Sequence, residues 1–250
     1  MRPKHFRQQL AARQAALAAS LGNLVHAPAP KTLHRLRVDL RRLRALLRPL
    51  AGRRAFAPLY RDAGRVLEAS GPLRDLEVLA DELDAHGLAR TALPRRKRFQ
   101  AGLEELLAGK ALQHLDDHCR PRPEPAPLIA LPDREALAKR CRKAVSRDLE
   151  RLRRRLDQPD PDLHRLRLDI KSLRYQLLEQ EVDGIGKELK LLARLQDRLG
   201  DWHDRTLWLG LAQQEDDLQP CVKRWRAEQA ELARWLPDLV ARLRLLLGTA

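Results

Sequence analysis

Leu33–Leu47 reads LHRLRVDLRRLRALL, and Leu163–Leu177 reads LHRLRLDIKSLRYQL. Nine of these fifteen positions are identical at an offset of 130. A second pair of blocks follows in the same order. Leu67–Val78 reads LEASGPLRDLEV and Gln196–Leu207 reads QDRLGDWHDRTL, at an offset of 129. Gly71 falls on Gly200 and Asp75 on Asp204. Two matched blocks in one order predict an internal duplication of a unit of about five helices. Each half is expected to form a four-helix-bundle-like body, with a pseudo-two-fold axis relating the two.

Working outward, the chain reads as all-α. Ala, Leu, Arg, Glu and Gln dominate, and all favour helix. Val and Ile are scarce, and no alternating strand pattern of useful length occurs. Pro and Gly punctuation places about ten helices. In the first half they fall near 3–25, 31–50, 53–69, 72–86 and 89–118. In the second they fall near 133–156, 161–181, 183–198, 201–217 and 220–247. Between them, 119–132 carries Pro121, Pro123, Pro125, Pro127 and Pro132 and reads as a linker. The expected organisation is therefore a first helical half over 1–118 and a second over 133–250.

The repeated helix carries two rows. His34, Arg37, Arg41, Arg44 and Arg48 recur at i, i+3, i+7, i+10 and i+14, a stripe roughly 80° wide. Leu33, Leu36, Leu40, Leu43 and Leu47 repeat the spacing one residue earlier. The two stripe centres are thus about 100° apart. A plain solvated face lies nearer the far side of the helix. These cations instead flank the buried seam, where a groove or pore between helices would be lined. The second copy places His164, Arg167, Lys171 and Arg174 beside Leu163, Leu166, Ile170, Leu173 and Leu177.

A row of Arg on an amphipathic helix is ordinarily a solvated face. Two observations argue otherwise here. Like charges at i,i+3 and i,i+4 cost roughly 0.2–0.5 kcal/mol per pair, and this stripe holds no acidic residue to relieve them. Both halves also keep the stripe while other positions drift, as where Arg42 meets Ser172. Lys190 and Arg194, with Lys187, form a shorter row, and Arg61 and Arg65 match the first two. Arg140, Lys143, Arg147, Arg151 and Arg154 share one face of the helix near 133–156, whose first-half counterpart carries mainly Arg13. Arg35, Arg165, Asp39 and Asp169 read as ordinary surface residues on other faces. Asp75 and Asp204 each start a helix beside a Gly and read as caps or as braces for a neighbouring Arg.

Of 250 residues, 49 are Lys or Arg and 34 Asp or Glu, a formal net charge of +15. Such a balance points to a polyanionic partner: nucleic acid, an anionic membrane surface or a phosphate polymer. With 44% hydrophobic residues the chain can bury a core. No apolar run approaches the roughly 18 residues that span a bilayer. The N-terminal MRPKH lacks the apolar core of a secretory signal, so the expected location is cytoplasmic.

Enzymatic constellations fall short. Cys119, Cys141 and Cys221 have no CxxC spacing, and no Gly-rich phosphate loop occurs. His114 and His118 share a helix face without further ligands at metal-site spacing. No carboxylate set for Mg²⁺ can be assembled. Neither a catalytic centre, nor a metal, nor a cofactor is expected. Trp202, Trp208, Trp225 and Trp235 lie in the second half and do not interleave with the cations, which counts against single-stranded nucleic acid. They are expected to pack the core.

HxxRVxxRRLR at His34–Arg44 and HxxRxxxKxLRY at His164–Tyr175 resemble motifs of the CHAD family, the histidine α-helical domain. Gly71–Leu79 (GPLRDLEVL) and Leu195–Asp204 (LQDRLGDWHD) resemble its second motifs. The resemblance covers nearly the whole chain, and the chain departs from it at Ser172 and in its weakly basic first helix. It implies two pseudo-symmetric helical bundles around a central basic pore or groove. It also implies binding of inorganic polyphosphate, often at polyphosphate granules, without catalysis by the domain. The expected ligand set is His34, Arg37, Arg41, Arg44, Arg48, Arg61, Arg65, Arg13, Lys143, His164, Arg167, Lys171, Arg174, Lys190 and Arg194. Nucleic acid binding, or a granule-surface scaffold using the same charge, stands as the alternative. The joint variant Arg37→Ala, Arg167→Ala is expected to lose polyphosphate binding while keeping its melting temperature.

Overall fold

The computed structural model describes residues 1–119, 131–181 and 184–247. Helices α1 (Pro3–His26) and α2 (Pro30–Leu47) are followed by a 3-10 turn at Arg48–Leu50. Then come α3 (Ala57–Ala69), α4 (Gly71–Ala85), α5 (Ala89–Ala108) and α6 (Lys110–Cys119). The second part of the chain holds α7 (Arg134–Leu156), α8 (Leu163–Glu179) and α9 (Gly186–Leu211). A 3-10 turn at Asp216–Leu218 leads into α10 (Gln219–Leu247). No strand occurs among the described residues. The all-α reading is correct. The chain divides into two compact units, Met1–Ala144 and Val145–Ala250. Most of the Pro-rich stretch read as a linker, residues 120–130, lies outside the described residues.

In the first unit the leucine row of α2 is the centre of the core. Leu33, Leu36, Leu40, Leu43 and Leu47 are fully buried, packed with Phe6, Leu10 and Leu17 of α1 and with Ala63 and Val66 of α3. Phe6 meets Phe56 edge to face at 6.4 Å. In the second unit Leu166, Ile170 and Leu173 of α8 pack with Leu192, Leu195 and Leu199 of α9 and with Leu236 and Leu243 of α10. Burial of such rows is the main stabilising term, about 1.5–3 kcal/mol for each large apolar side chain.

Local chemistry sets the helix ends. Asp162 accepts the Arg165 backbone N–H at 3.0 Å and starts α8. Gly87, with φ 74°, ends α4. There the Leu88 N–H reaches the Leu83 carbonyl at 2.9 Å and the Gly87 N–H reaches Asp84 at 3.0 Å, the pattern of a left-handed C-terminal cap.

Several boundaries differ from the sequence reading. The helix expected over 89–118 is split at Gly109, whose backbone is extended. A Cβ there would lie 3.2 Å from the carbonyl oxygens of Glu105 and Leu106. Conversely, the helices expected at 183–198 and 201–217 are one, α9, running through Gly200. Pro72 explains the difference between the matched blocks. It lacks an N–H and its ring clashes with a continuing helix, so α3 ends and α4 begins there. Its counterpart Asp201 has an N–H to donate to the helix, and the helix continues. Asp75 and Asp204 are therefore not N-cap residues: one lies in the second turn of α4, the other inside α9.

Asp39 and Asp169 are not surface residues. They are 1% and 8% exposed. The face of α2 bearing Asp39 is covered by α1, whose Ser20 hydroxyl donates to the carboxylate, and Arg35 Nε adds a bond at 3.0 Å. Asp169 is held by Arg155 Nε at 2.6 Å and by Arg151 Nε at 3.4 Å, both from α7. Ser172 also faces α7, donating to buried Asp148 at 3.1 Å. Among the tryptophans, Trp208 and Trp225 are buried with ring centres 5.2 Å apart, but Trp235 is 55% exposed.

Candidate functional site

In the first unit the cation row of α2 lies along its seam with α3 and the start of α4. Arg37 is the most buried member. Its Nη1 donates to the Leu67 carbonyl at 2.8 Å and to the Ser70 hydroxyl at 2.5 Å. The Ser70 hydroxyl donates in turn to the Val66 carbonyl at 2.6 Å. Arg37 thus ties the α3–α4 turn to α2. Burial pushes its pKa down to about 10; the nearby Arg41 and Arg74 add to the fall while Asp75 and Glu77 oppose it. The group stays charged at neutral pH.

Two turns further along, the Arg44 guanidinium lies 4.5 Å from the Tyr60 ring centre, a cation–π contact. Gly64 makes room for it: a Cβ there would meet Arg44 Cζ at 3.3 Å. At the other end of the row sits His34. Burial lowers its pKa, and Arg74, Arg41 and Arg37 lower it further against the pull of Glu77. Arg74 of α4 is paired with buried Glu77 at 2.5 Å. Arg41, Arg44 and Arg48 are half-buried. The row therefore borders the core, as the 100° offset implied.

The second unit gathers a cation row of its own, with different chemistry. His164 of α8 and His203 of α9 face each other with Nδ1 atoms 3.2 Å apart and ring centres 4.6 Å apart. Burial drives the His203 pKa down to about 4, assisted by Arg167, His164 and Lys171. Arg167 Nε lies 3.9 Å from where a Cβ on Gly200 would stand. Arg174 Nη1 donates to Gln196 Oε1 at 3.3 Å. So His34 neighbours Arg74 as His164 neighbours His203.

Arg74 and His203 are the functional candidates that sequence reasoning missed. Each immediately precedes the matched pair Asp75 and Asp204. The signal was present: both blocks carry a cation-forming residue there, but as Arg in one and His in the other.

The remaining candidates are less closely gathered. Arg65 is exposed and turned to Asp62 at 3.0 Å, which also takes His118 Nε2 at 3.0 Å. His118, weighed as a metal ligand, thus serves that buried carboxylate. Arg61 on α3 and Lys190 and Arg194 on α9 are exposed, with no hydrogen bond to the rows among the described residues. Arg13 is half-buried on α1, and Lys143 is exposed on α7. Of the α7 row, Arg151 is bonded to Asp148 and Asp169.

The joint variant Arg37→Ala, Arg167→Ala does not keep its melting temperature, because Arg37 is bonded into the fold. A guanidinium that satisfies a carbonyl and a buried hydroxyl is part of the fold, and its loss costs about 1–3 kcal/mol.

The helical fold and its His/Arg-bearing helices define a class of histidine-containing α-helical domain. The chain belongs to the CHAD domain family, whose model matches residues 8–213. The fold is also that of the crystal structure of the CHAD domain from the plant Ricinus communis. That likeness has a TM-score of 0.70 at 22% identity, over 99% of this chain and 92% of the other. No curated protein matches the chain. No helix among the described residues is long and apolar enough to cross a membrane.

Proposed function

We propose that this protein binds inorganic polyphosphate, without turning it over, through the cation clusters of its two units. The observation that carries the reading is the placement of the rows. His34, Arg37, Arg41 and Arg74 converge at one helix seam, and His164, Arg167, Lys171 and His203 converge at another. Like charges are held together there at the edge of a core, a costly arrangement that a bound anion relieves. Guanidinium forks and ammonium groups hold phosphoryl oxygens, and each neutralised phosphate releases counterions. A linear polymer multiplies such contacts without requiring base readout. Membership of the CHAD family supports this ligand.

The carboxylates beside the rows act as counter-charges. Glu77 is paired with Arg74, and Asp75 raises the proton affinity of Arg37. That role supports binding rather than chemistry. A protein with this affinity would accumulate on polyphosphate granules in the cytoplasm.

Competition tests the reading. Long polyphosphate is expected to displace duplex DNA at a far lower charge concentration than the reverse. The opposite order would make the protein a nucleic-acid binder. Phosphate release in the presence of Mg²⁺ or Mn²⁺ would make it an enzyme.

A further inference from the structure

The matched positions Arg74 and His203 differ in one physical respect. A guanidinium keeps its charge at every physiological pH, and an imidazole does not. We propose that the His164–His203 pair makes anion binding by the second unit proton-coupled, taking up one proton as a phosphate group binds. The inference rests on the polyphosphate reading above and adds a regulation of that site.

The geometry supplies the argument. Two neutral imidazoles facing through Nδ1 at 3.2 Å hold one proton between those nitrogens. The donating ring then has a bare Nε2, and the accepting ring carries its proton on Nε2. A neutral pair thus offers an anion one N–H and one lone pair, and the lone pair repels it. One added proton converts the bare Nε2 into a second N–H and leaves the bond between the rings in place. The pair becomes a two-donor clamp with a positive charge.

The surroundings decide when that proton arrives. From α8, His203 faces His164, Arg167 and Lys171, all of which disfavour a further charge. Asp201, Asp204 and Arg205 lie on its own helix. From α10, Glu228 reaches α9, bonded to Arg205 at 2.9 Å, and pairs with Arg224 of its own helix at 3.5 Å. From α7, Arg151 and Arg155 are turned to Asp169. In the free protein burial, assisted by the α8 cations, keeps His203 neutral. A phosphate group placed among them reverses the local field and draws the proton in.

The test is titration calorimetry of the full chain with long polyphosphate, whose internal groups do not titrate near neutrality. It is run at about pH 7 in two buffers of different ionisation enthalpy. Wild type is compared with His203→Arg, which copies Arg74. Wild type is expected to take up more protons than the variant, at most one per molecule, and its affinity to rise by up to about tenfold more per unit fall in pH. Imidazole NMR of wild type checks the same point without a variant: polyphosphate is expected to raise the His203 pKa. Equal proton uptake by both proteins, or a His203 titration that polyphosphate does not move, overturns the proposal and leaves polyphosphate binding standing. If wild type binds no polyphosphate, the functional reading and this inference fall together.

Discussion

Arg37 donates to the Ser70 hydroxyl at 2.5 Å, so a cation of the candidate site is also the tie between α2 and the α3–α4 turn. The matched Arg167 has no such partner, because Leu199 stands where Ser70 does. Arg37→Ala is therefore expected to lower stability by about 1–3 kcal/mol, and Arg167→Ala by less. Urea unfolding of the two single variants measures the difference. Equal losses would show that the Ser70 bond contributes nothing.

The cleaner probes of binding are half-buried members of the rows. Arg41→Ala with Lys171→Ala is expected to weaken polyphosphate binding at least tenfold and to lower the slope of log K against log salt by about two. The cost in stability is expected to stay below about 1 kcal/mol. Filter binding at several salt concentrations, with a thermal melt as control, checks both. An unchanged affinity would make the rows ordinary surface.

Acid is expected to destabilise the second unit through His203. Its folded pKa, about 4, lies below the unfolded value of 6.5. Between those values the unfolded chain binds more protons, so stability falls as pH drops from about 6.5 towards about 4. His203→Gln removes that contribution. Melting temperatures near pH 7 and near pH 4.5 are expected to fall more for wild type than for the variant. A larger fall in the variant would reverse the sign of the argument.

Two helical glycines are expected to respond differently to alanine. At Gly200 a new Cβ meets only Arg167 Nε at 3.9 Å, so helix propensity dominates and Gly200→Ala is expected to gain up to about 1 kcal/mol. At Gly64 the Cβ would press on Arg44 Cζ at 3.3 Å and displace the guanidinium from Tyr60. That loss offsets the propensity, so Gly64→Ala is expected near neutral. Denaturant midpoints rank the pair.

Asp201→Pro is expected to break α9 where Pro72 separates α3 from α4. A proline inside a helix costs about 3 kcal/mol or more. Circular dichroism and unfolding of the variant test whether this single residue explains the continuous helix of the second unit.

The apolar rows were legible in the sequence because helical spacing fixes which residues share a face. Leu33, Leu36, Leu40, Leu43 and Leu47 are all buried as that spacing requires. Asp39 and Asp169 were misread because periodicity describes one helix and says nothing of a second helix covering its other side. Arg74 and His203 escaped for a related reason: they reach the rows from the following helix, and only tertiary packing brings them there. Gly200 misled because a glycine in a matched block suggested a break that in fact needs Pro72.

Asp39 and Asp169 occupy one position of a shared pattern, yet each is gripped by the preceding helix in its own way: a serine in α1, two arginines in α7. A hybrid in which α1 and α7 trade places would confront Asp169 with a lone hydroxyl and crowd Asp39 with two guanidiniums beside Arg35. However alike their central helices look, each is fitted to the helix before it, and the two are not exchangeable parts.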